Sequence, residues 1–300
     1  MTNEIVIRIE KLRKNFGAVH AVEEVDLEVR RGSVFGFLGP NGAGKTTTIG
    51  MILSLIHPTA GTVTVLGERV TPSRNRVLRR VGAMAGAPAL IPYLSARENL
   101  RLAARLNGGL PARRIDEVLE QVGLSTAADR ASGQYSTGMK QRLGIAIAIL
   151  HRPELLILDE PTNGMDPAGM LEIRNMLRAL ADGGMTIFLS SHLLHEVEQV
   201  CDEVAVLNRG KVVRQGKVGE LLGKNEAVLR VRVPSPAEAA TLLLTLPGVS
   251  EVKPNGSYVT VTGATGEAVV GCLAAHGIIP SEVTNGHPDL EQVFLQLTNS

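Results

Sequence analysis

The feature that most constrains the fold of this chain is a glycine-rich loop between two apolar runs. Residues 39–47 read Gly-Pro-Asn-Gly-Ala-Gly-Lys-Thr-Thr, and they lie between the apolar runs Val34–Leu38 and Ile49–Ile56. A strand, a glycine-rich turn and a helix start in this order are what a phosphate-binding loop requires, because backbone N–H groups at a helix N-terminus bind anions. The loop therefore predicts a site for a nucleoside triphosphate, and its binding residues are Gly39, Asn41, Gly42, Gly44, Lys45, Thr46 and Thr47.

Two side chains of this loop carry specific chemistry. Glycine lets the backbone come close to the phosphates, so that Lys45 can reach the β- and γ-phosphates. The hydroxyl of Thr46 is suited to ligate Mg²⁺. We expect Lys45 to take part in catalysis and Thr46 in metal binding.

Composition and charge narrow the class of protein. The chain has 300 residues, 44% of them hydrophobic and 20% charged, with a formal net charge of +1. This balance is typical of a globular protein and gives no indication of a basic face for nucleic acid. The longest apolar stretch, around Leu143–Leu150, is too short to span a bilayer, and the first residues lack a signal-peptide pattern. We therefore expect a cytosolic protein in which Cys201 and Cys272 are buried, reduced thiols, the alternative being a disulfide between them.

The pattern of apolar residues predicts two domains. In residues 1–222, alternating segments at 5–9 and 22–30 predict antiparallel strands, and later strands separated by helices predict βαβ units and a parallel sheet. A helical segment, about 88–150, interrupts this α/β core. Residues 226–300 then show the order β-α-β-β-α-β, including a strand at Ile278–Thr284 and an added helix at Asp289–Thr298. That order predicts a small α+β domain with a ferredoxin-like fold.

Two acidic residues end the most apolar strand. The segment Leu155–Leu158 is followed directly by Asp159 and Glu160. A buried parallel strand delivers such carboxylates to the edge of the sheet where the phosphate loop of a neighbouring strand also lies. Asp159 is suited to hold Mg²⁺, and Glu160 is suited to orient the attacking water and take its proton.

Together these segments resemble the ATPase subunit of an ABC transporter. Residues 135–142, Tyr-Ser-Thr-Gly-Met-Lys-Gln-Arg, match the signature sequence of that family, with Ser136 and Gly138 in the positions that contact nucleotide. The resemblance implies a P-loop NTPase core with an inserted helical subdomain. It also implies that two copies of the chain sandwich two ATP molecules, with the signature of one copy meeting the γ-phosphate bound to the other.

Three more positions carry roles implied by the family. Phe16 matches the aromatic residue that stacks on adenine, although it could equally belong to the core. Asp166, in the segment Asn163–Pro167, matches the D-loop that couples the two ATP sites. His192 matches the switch histidine, which contacts the γ-phosphate and helps to position the water.

One position departs from the family pattern. After the predicted strand Val81–Ala85 the family usually has Gln, or Glu in the drug-exporter branch, whereas this chain has Gly86. Glycine has no side chain to ligate Mg²⁺ or water. Two alternatives follow. Either water or a neighbouring residue takes the place of the missing ligand, or ATP hydrolysis is slower and depends more on the partner.

The branch of the family indicates what the chain works with. The segment Ala87–Leu100 and the run Gly-Met-Lys-Gln-Arg-Leu-Gly resemble ATPases of bacterial drug exporters of the bacitracin- and daunorubicin-resistance types. This resemblance implies a separate integral membrane permease that docks near Ala87–Asn99, and a location on the inner face of the cell membrane. The alternatives are an importer ATPase, a soluble ABC protein acting on ribosomes or DNA, and a regulatory module that scarcely hydrolyses ATP. The sequence does not identify the cargo.

Overall fold

The chain forms two compact units. The computed structural model describes residues 4–71, 75–221 and 228–285, and the two units divide between Gly216 and Lys217. The break predicted at 223–225 lies outside the described residues. Within the described ranges, no helix combines the length and the apolar character needed to cross a bilayer.

The first unit alternates strands and helices after an N-terminal hairpin. In chain order its elements are β1 Ile5–Phe16, β2 Val19–Arg30, β3 Val34–Leu38, α1 Lys45–Ile52, β4 Ala60–Val65, β5 Glu68–Arg69, β6 Val81–Met84, α2 Ala96–Leu106, α3 Ala112–Gln121, α4 Thr137–Ile149, β7 Leu155–Asp159, α5 Pro167–Asp182, β8 Thr186–Ser191, α6 Leu194–Val200, β9 Glu203–Asn208 and β10 Lys211–Lys217.

The central sheet has the strand order β10-β9-β3-β8-β7-β6. Pairing is parallel between β9 and β3, β3 and β8, β8 and β7, and β7 and β6. Every residue of β3, β7 and β8 is buried, which explains why these strands are continuously apolar rather than alternating. Because β3, β8 and β7 are neighbours, the segments that follow them meet at one edge of the sheet.

Aromatic packing joins the middle strands. Phe35 of β3 and Phe188 of β8 are in register, and their rings are stacked with centroids 5.7 Å apart. The ring of Phe37 lies 5.5 Å from that of Phe188. All three side chains are fully buried, and burial of each contributes about 1.5–3 kcal/mol. This core fixes the spacing of the two strands that carry functional loops.

The predicted antiparallel strands form a second sheet, with the order β2-β1-β4-β5. β1 pairs with both β2 and β4, and all these pairings are antiparallel. The structure confirms the predicted strand type, but β1 and β2 are longer than the predicted segments and meet in a tight turn after Phe16. That turn places Phe16 at the end of a hairpin.

The helical insert lies between β6 and β7, as predicted. It contains α2, α3 and α4, and α2 begins at a capping box in which Ser95 accepts from Glu98 N and Ser95 N donates to the Glu98 carboxylate. Asn99 then holds the preceding loop, since its amide donates to the carbonyl oxygens of Ile91 and Leu94 and its Oδ1 accepts from Ile91 N. The segment before α2 is therefore fixed to the helix.

The second unit is an α+β layer structure. Its elements are α7 Val218–Leu221, β11 Val228–Arg232, α8 Pro236–Leu243, β12 Glu251–Asn255, β13 Tyr258–Thr262, α9 Gly266–Ala275 and β14 Glu282–Asn285. The sheet order is β12-β13-β11-β14, and each neighbouring pair is antiparallel. From β11 to β14 the elements follow the predicted order β-α-β-β-α-β.

The last strand begins later than the sequence predicts. Ile278 is not in the strand, because its N–H donates to Leu273 O and its side chain is buried against the end of α9. Gly277, with φ of +75°, makes the turn that ends the helix. Since Pro280 has no N–H to donate, pairing starts only at Glu282. The predicted helix at 289–298 lies outside the described residues.

Candidate active site

The glycine-rich loop follows β3 and leads into α1. A Cβ on Gly39 would lie 2.4 Å from Leu207 O, and one on Gly44, where φ is +105°, would lie 2.4 Å from Ala21 O. Only glycine fits these positions, because the loop backbone passes directly against neighbouring strands. Asn41 and Gly42 are exposed at the loop tip. The tip of the loop, just before the N-terminus of α1, is therefore accessible to a ligand.

Lys45 is the buried cation of the loop. Its side chain is 6% exposed, and its Nζ donates to Gly39 O at 2.6 Å and to Pro40 O at 3.2 Å. The same Nζ lies 3.1 Å from Oε1 of Glu160. Thr46 is exposed and Thr47 is partly exposed, both in the first turn of α1.

Asp159 and Glu160 are positioned by a serine on the neighbouring strand. Ser190 Oγ donates to Asp159 Oδ1 at 2.6 Å and accepts from Glu160 N at 3.0 Å. Glu160 has a φ of +51°, a left-handed conformation that costs a non-glycine residue about 1–3 kcal/mol. Sequence reasoning gave Ser190 no role. The available signal was a hydroxyl residue at the end of a buried strand next to the strand of Asp159.

His192 completes this cluster. Its Nδ1 lies 2.6 Å from Oε2 of Glu160, so the two carboxylate oxygens contact Lys45 and His192 respectively. The imidazole side chain is 31% exposed, whereas that of Glu160 is 19% exposed. The structure therefore brings Glu160 into contact with both of the other predicted catalytic residues, Lys45 and His192.

The predicted metal ligands have suitable chemistry. Asp159 is buried at the end of β7 and Thr46 is exposed at the start of α1, and each offers an oxygen. Oxygen donors are what Mg²⁺ prefers. Gly86 follows β6, beside β7, with a φ of +78° and no atom within 4 Å of a built Cβ. Its neighbours Ala85 and Ala87 carry no polar side chain, so neither can replace the missing ligand.

Phe16 is not a core residue. The residue is 49% exposed, and Nζ of Lys14 lies 4.8 Å from the ring centroid. Of the two alternatives that the sequence left open, the core is excluded. An exposed ring at a hairpin end is free to stack on a flat ligand.

The signature segment and the D-loop form a second group. Ser136 is the N-cap of α4 and accepts from Met139 N at 3.2 Å, while Asp166 is the N-cap of α5 and accepts from Gly169 N at 3.2 Å. Met165 lies between them, since a Cβ on Gly138 would be 3.0 Å from Met165 Cε. The starts of α4 and α5 therefore lie close together, and the start of α4, whose cap is uncharged, is the one suited to receive an anion. Sequence reasoning did not identify Met165.

Comparison with known proteins agrees with this site. Residues 22–163 match the family model described as ABC transporter. The chain is 43% identical over 239 residues to a bacitracin transport ATP-binding protein of Bacillus licheniformis, covering 79% of this chain and 78% of that protein. It is 36% identical to a daunorubicin resistance ATP-binding protein of Streptomyces coeruleorubidus, covering 98% and 96%.

A solved structure is similar as well. A dimeric ATP-binding cassette in a post-hydrolysis state, bound to ADP and Pi, superposes with a TM-score of 0.63 at 26% identity, covering 71% of this chain and 98% of that one. The range matched by the family model, residues 22–163, includes the glycine-rich loop, the helix α4 that follows Ser136, and the strand end at Asp159–Glu160. This chain therefore belongs to the ABC transporter family, as one of its ATP-binding, ATP-hydrolysing subunits.

Proposed function

We propose that the chain powers export of a drug-like or lipid-like cargo through a separate integral membrane permease, and that it works as an ATP-sandwich dimer on the inner face of the membrane. The single observation that carries the hydrolytic part is the contact of Glu160 with both Lys45 and His192. Export is supported by similarity to the bacitracin transport and daunorubicin resistance proteins.

The nucleotide would bind along the glycine-rich loop. Backbone N–H groups at the start of α1 hold the phosphates. Lys45 Nζ leaves its ion pair with Glu160 and binds the β- and γ-phosphates instead. Phe16 stacks on the adenine. Thr46 and Asp159 supply oxygen ligands for Mg²⁺, which neutralises phosphate charge when bound.

Hydrolysis would then use the freed carboxylate. With Lys45 engaged by phosphate, Glu160 can orient a water and take its proton. Ser190 holds the backbone of Glu160, so the carboxylate starts from a fixed position. The second ring nitrogen of His192, Nε2, would be available to contact the transferred phosphoryl group and, when it carries a proton, to support the developing charge.

Dimer formation would complete each site. Ser136 and Gly138 of one copy meet the γ-phosphate held by the other, and Met165, the residue before Asp166, lies next to Gly138. Since nucleotide binds the closed dimer better than the open one, it shifts the equilibrium towards closure. Hydrolysis and phosphate release reverse the shift.

The docking site for the permease is expected near residues 87–99. Tyr93 in this segment is 79% exposed, although Asn99 holds the backbone on both sides of it. A rigid loop that presents an exposed aromatic side chain is well suited to receive a helix from a partner.

One experiment tests the partner. The tagged chain is purified from detergent-solubilised native membranes, and co-purifying proteins are identified by mass spectrometry. We expect a stoichiometric protein with several membrane spans, whose own sequence would separate exporter from importer. Recovery of ribosomes or DNA-binding proteins without such a protein would contradict the proposal.

A further inference from the structure

The start of α5 lies next to α4, the helix that begins in the signature segment. Met165, just before α5, lies against two glycines: a built Cβ would be 3.0 Å from Met165 Cε at Gly138 and 2.8 Å away at Gly169. With glycine at both positions, the end of the methionine side chain packs directly against the two backbones. A second link is the ion pair between Arg142 Nη2 of α4 and Glu172 Oε2 of α5, at 3.5 Å. The starts of α4 and α5 are therefore held together.

The middle of α5 contacts α6 through an ion pair. Arg174 Nη1 lies 3.5 Å from Glu196 Oε1 and donates to Gln199 Oε1 at 2.6 Å. The side chains of Arg174 and Glu196 are only 15% and 9% exposed. α6 begins two residues after His192, and between them Leu193 N donates to Ser191 Oγ at 2.9 Å. The position of α6 thus bears directly on the position of His192.

The ion pair between Arg174 and Glu196 is not well explained by a contribution to the stability of the fold. Arg174 Nε and Glu196 Oε2 are buried, and neither has a hydrogen-bond partner among the residues that the structure describes. Burying charges with incomplete hydrogen bonding is costly, and well-packed apolar replacements of buried pairs are often neutral or stabilising. A role in holding two helices in one specific arrangement accounts for the pair better.

We propose that Arg174 is a positioning residue for the hydrolytic step. Through Glu196 it fixes the position of α6 and so keeps His192 in contact with Glu160. Because Met165 at the start of α5 contacts Gly138, the same helix also connects His192 to the signature segment. If Gly138 shifts when the dimer closes, α5 would move with it, and this movement would change the position of His192 relative to Glu160. The inference rests on the proposed roles of His192 and of the signature segment.

The test replaces the pair by apolar residues of similar length, Arg174→Met with Glu196→Met. We expect the melting temperature to stay the same or rise, KM for ATP to stay within about twofold, and kcat to fall at least about tenfold. Arg178→Met is the matched control on the same helix, because Arg178 makes exposed ion pairs with Asp182 and Asp202. The control should keep its kcat.

A second readout separates positioning from folding. In a Glu160→Gln background, ATP-dependent dimers should form with or without the apolar pair, as measured by light scattering. The reversed pair, Arg174→Glu with Glu196→Arg, should recover most of kcat, because the amide of Gln199 can turn to donate to the new carboxylate.

Several results would overturn the inference: an unchanged kcat in the apolar variant, no recovery in the reversed pair, or loss of dimers together with a lower melting temperature. If Glu160→Gln alone forms no ATP-dependent dimer, the proposed dimer cycle fails, and this inference fails with it.

Discussion

Lys45 Nζ lies 3.1 Å from Oε1 of Glu160, so the lysine of the phosphate loop and the carboxylate proposed as general base form an ion pair. Both side chains are largely buried, and in such a site the attraction between opposite charges is stronger than in water. A γ-phosphate carries more negative charge than one carboxylate and can replace Glu160 at Lys45. The same binding event would therefore engage the lysine and release the base.

Glu160→Gln tests this exchange. The neutral amide keeps the size of the side chain but removes its charge, so Lys45 has no anionic competitor for the phosphate. We expect kcat to fall by about 10²- to 10⁴-fold while the Kd for ATP stays equal or decreases. Nucleotide binding and steady-state hydrolysis on the same preparation measure both quantities. A variant that binds ATP at least tenfold more weakly than the wild type would contradict the exchange.

Ser190→Ala tests the residue that sequence reasoning missed. The change leaves Asp159 Oδ1 and Glu160 N without their shared partner and should destabilise the fold by about 1–3 kcal/mol. It should also lower kcat, because Glu160 loses the bond that fixes its backbone.

Ser33→Ala is the matched control for Ser190→Ala. Ser33 is also buried and its Oγ donates to Arg30 O at 2.8 Å, but it precedes β3, at the opposite end of the sheet from the site. Urea unfolding and ATPase assays on both variants separate the two effects. Equal loss of activity in the two variants would show that Ser190 acts only through stability.

Gly86→Gln, compared with Gly86→Ala, tests the departure from the family pattern. Both substitutions place a side chain at a φ of +78°, so both should cost about 1–2 kcal/mol of stability from backbone strain. Only Gln adds an oxygen that can reach Mg²⁺ or water, and the space around the position is open. We expect Mg²⁺ half-saturation of the ATPase rate at a lower concentration in the Gln variant than in the Ala variant. Identical half-saturation would mean that the side chain at this position does not contact the metal site.

Phe16→Ala tests adenine stacking. Loss of the ring should weaken ATP binding by about 1–3 kcal/mol, which is an increase in Kd of roughly 5- to 150-fold. The melting temperature should hardly change, because Phe16 is exposed and is not part of the core. Val19→Ala is the control, since Val19 is the exposed cross-strand partner of Phe16. Equal binding of ATP by the wild type and Phe16→Ala would exclude the stacking role. Phe16→Trp, which keeps an aromatic ring, should bind ATP as the wild type does.

Local patterns predicted most of the first unit, because each of its motifs is a short run of residues with a defined backbone. The loop around Lys45 and the strand that ends at Asp159 are examples, and the structure places both as predicted. The contacts of Ser190 and Met165 were not predictable in this way. They depend on which strands and helices become neighbours, and that order is set by the packing of the whole sheet. The late start of β14 also depends on tertiary packing, because the N–H of Ile278 donates to Leu273 O at the end of α9 and so does not pair with a neighbouring strand.

Thiol reactivity offers a test of the packing around β3. The described structure has both cysteines free, with Cys201 buried and Cys272 partly exposed. Burial raises the pKa of the Cys201 thiol far above its usual value, and the nearby carboxylate of Asp202 raises it further. At neutral pH Cys201 is therefore a protonated thiol, which is not the nucleophilic form. With a thiol reagent such as DTNB we expect one thiol to react in the native protein and a second only after unfolding, and Cys272→Ser should remove the native reaction. Rapid reaction of Cys201 in the native Cys272→Ser variant would contradict the tight packing of its sulfur against β3, where a Cβ on Gly36 would lie 2.9 Å from Sγ.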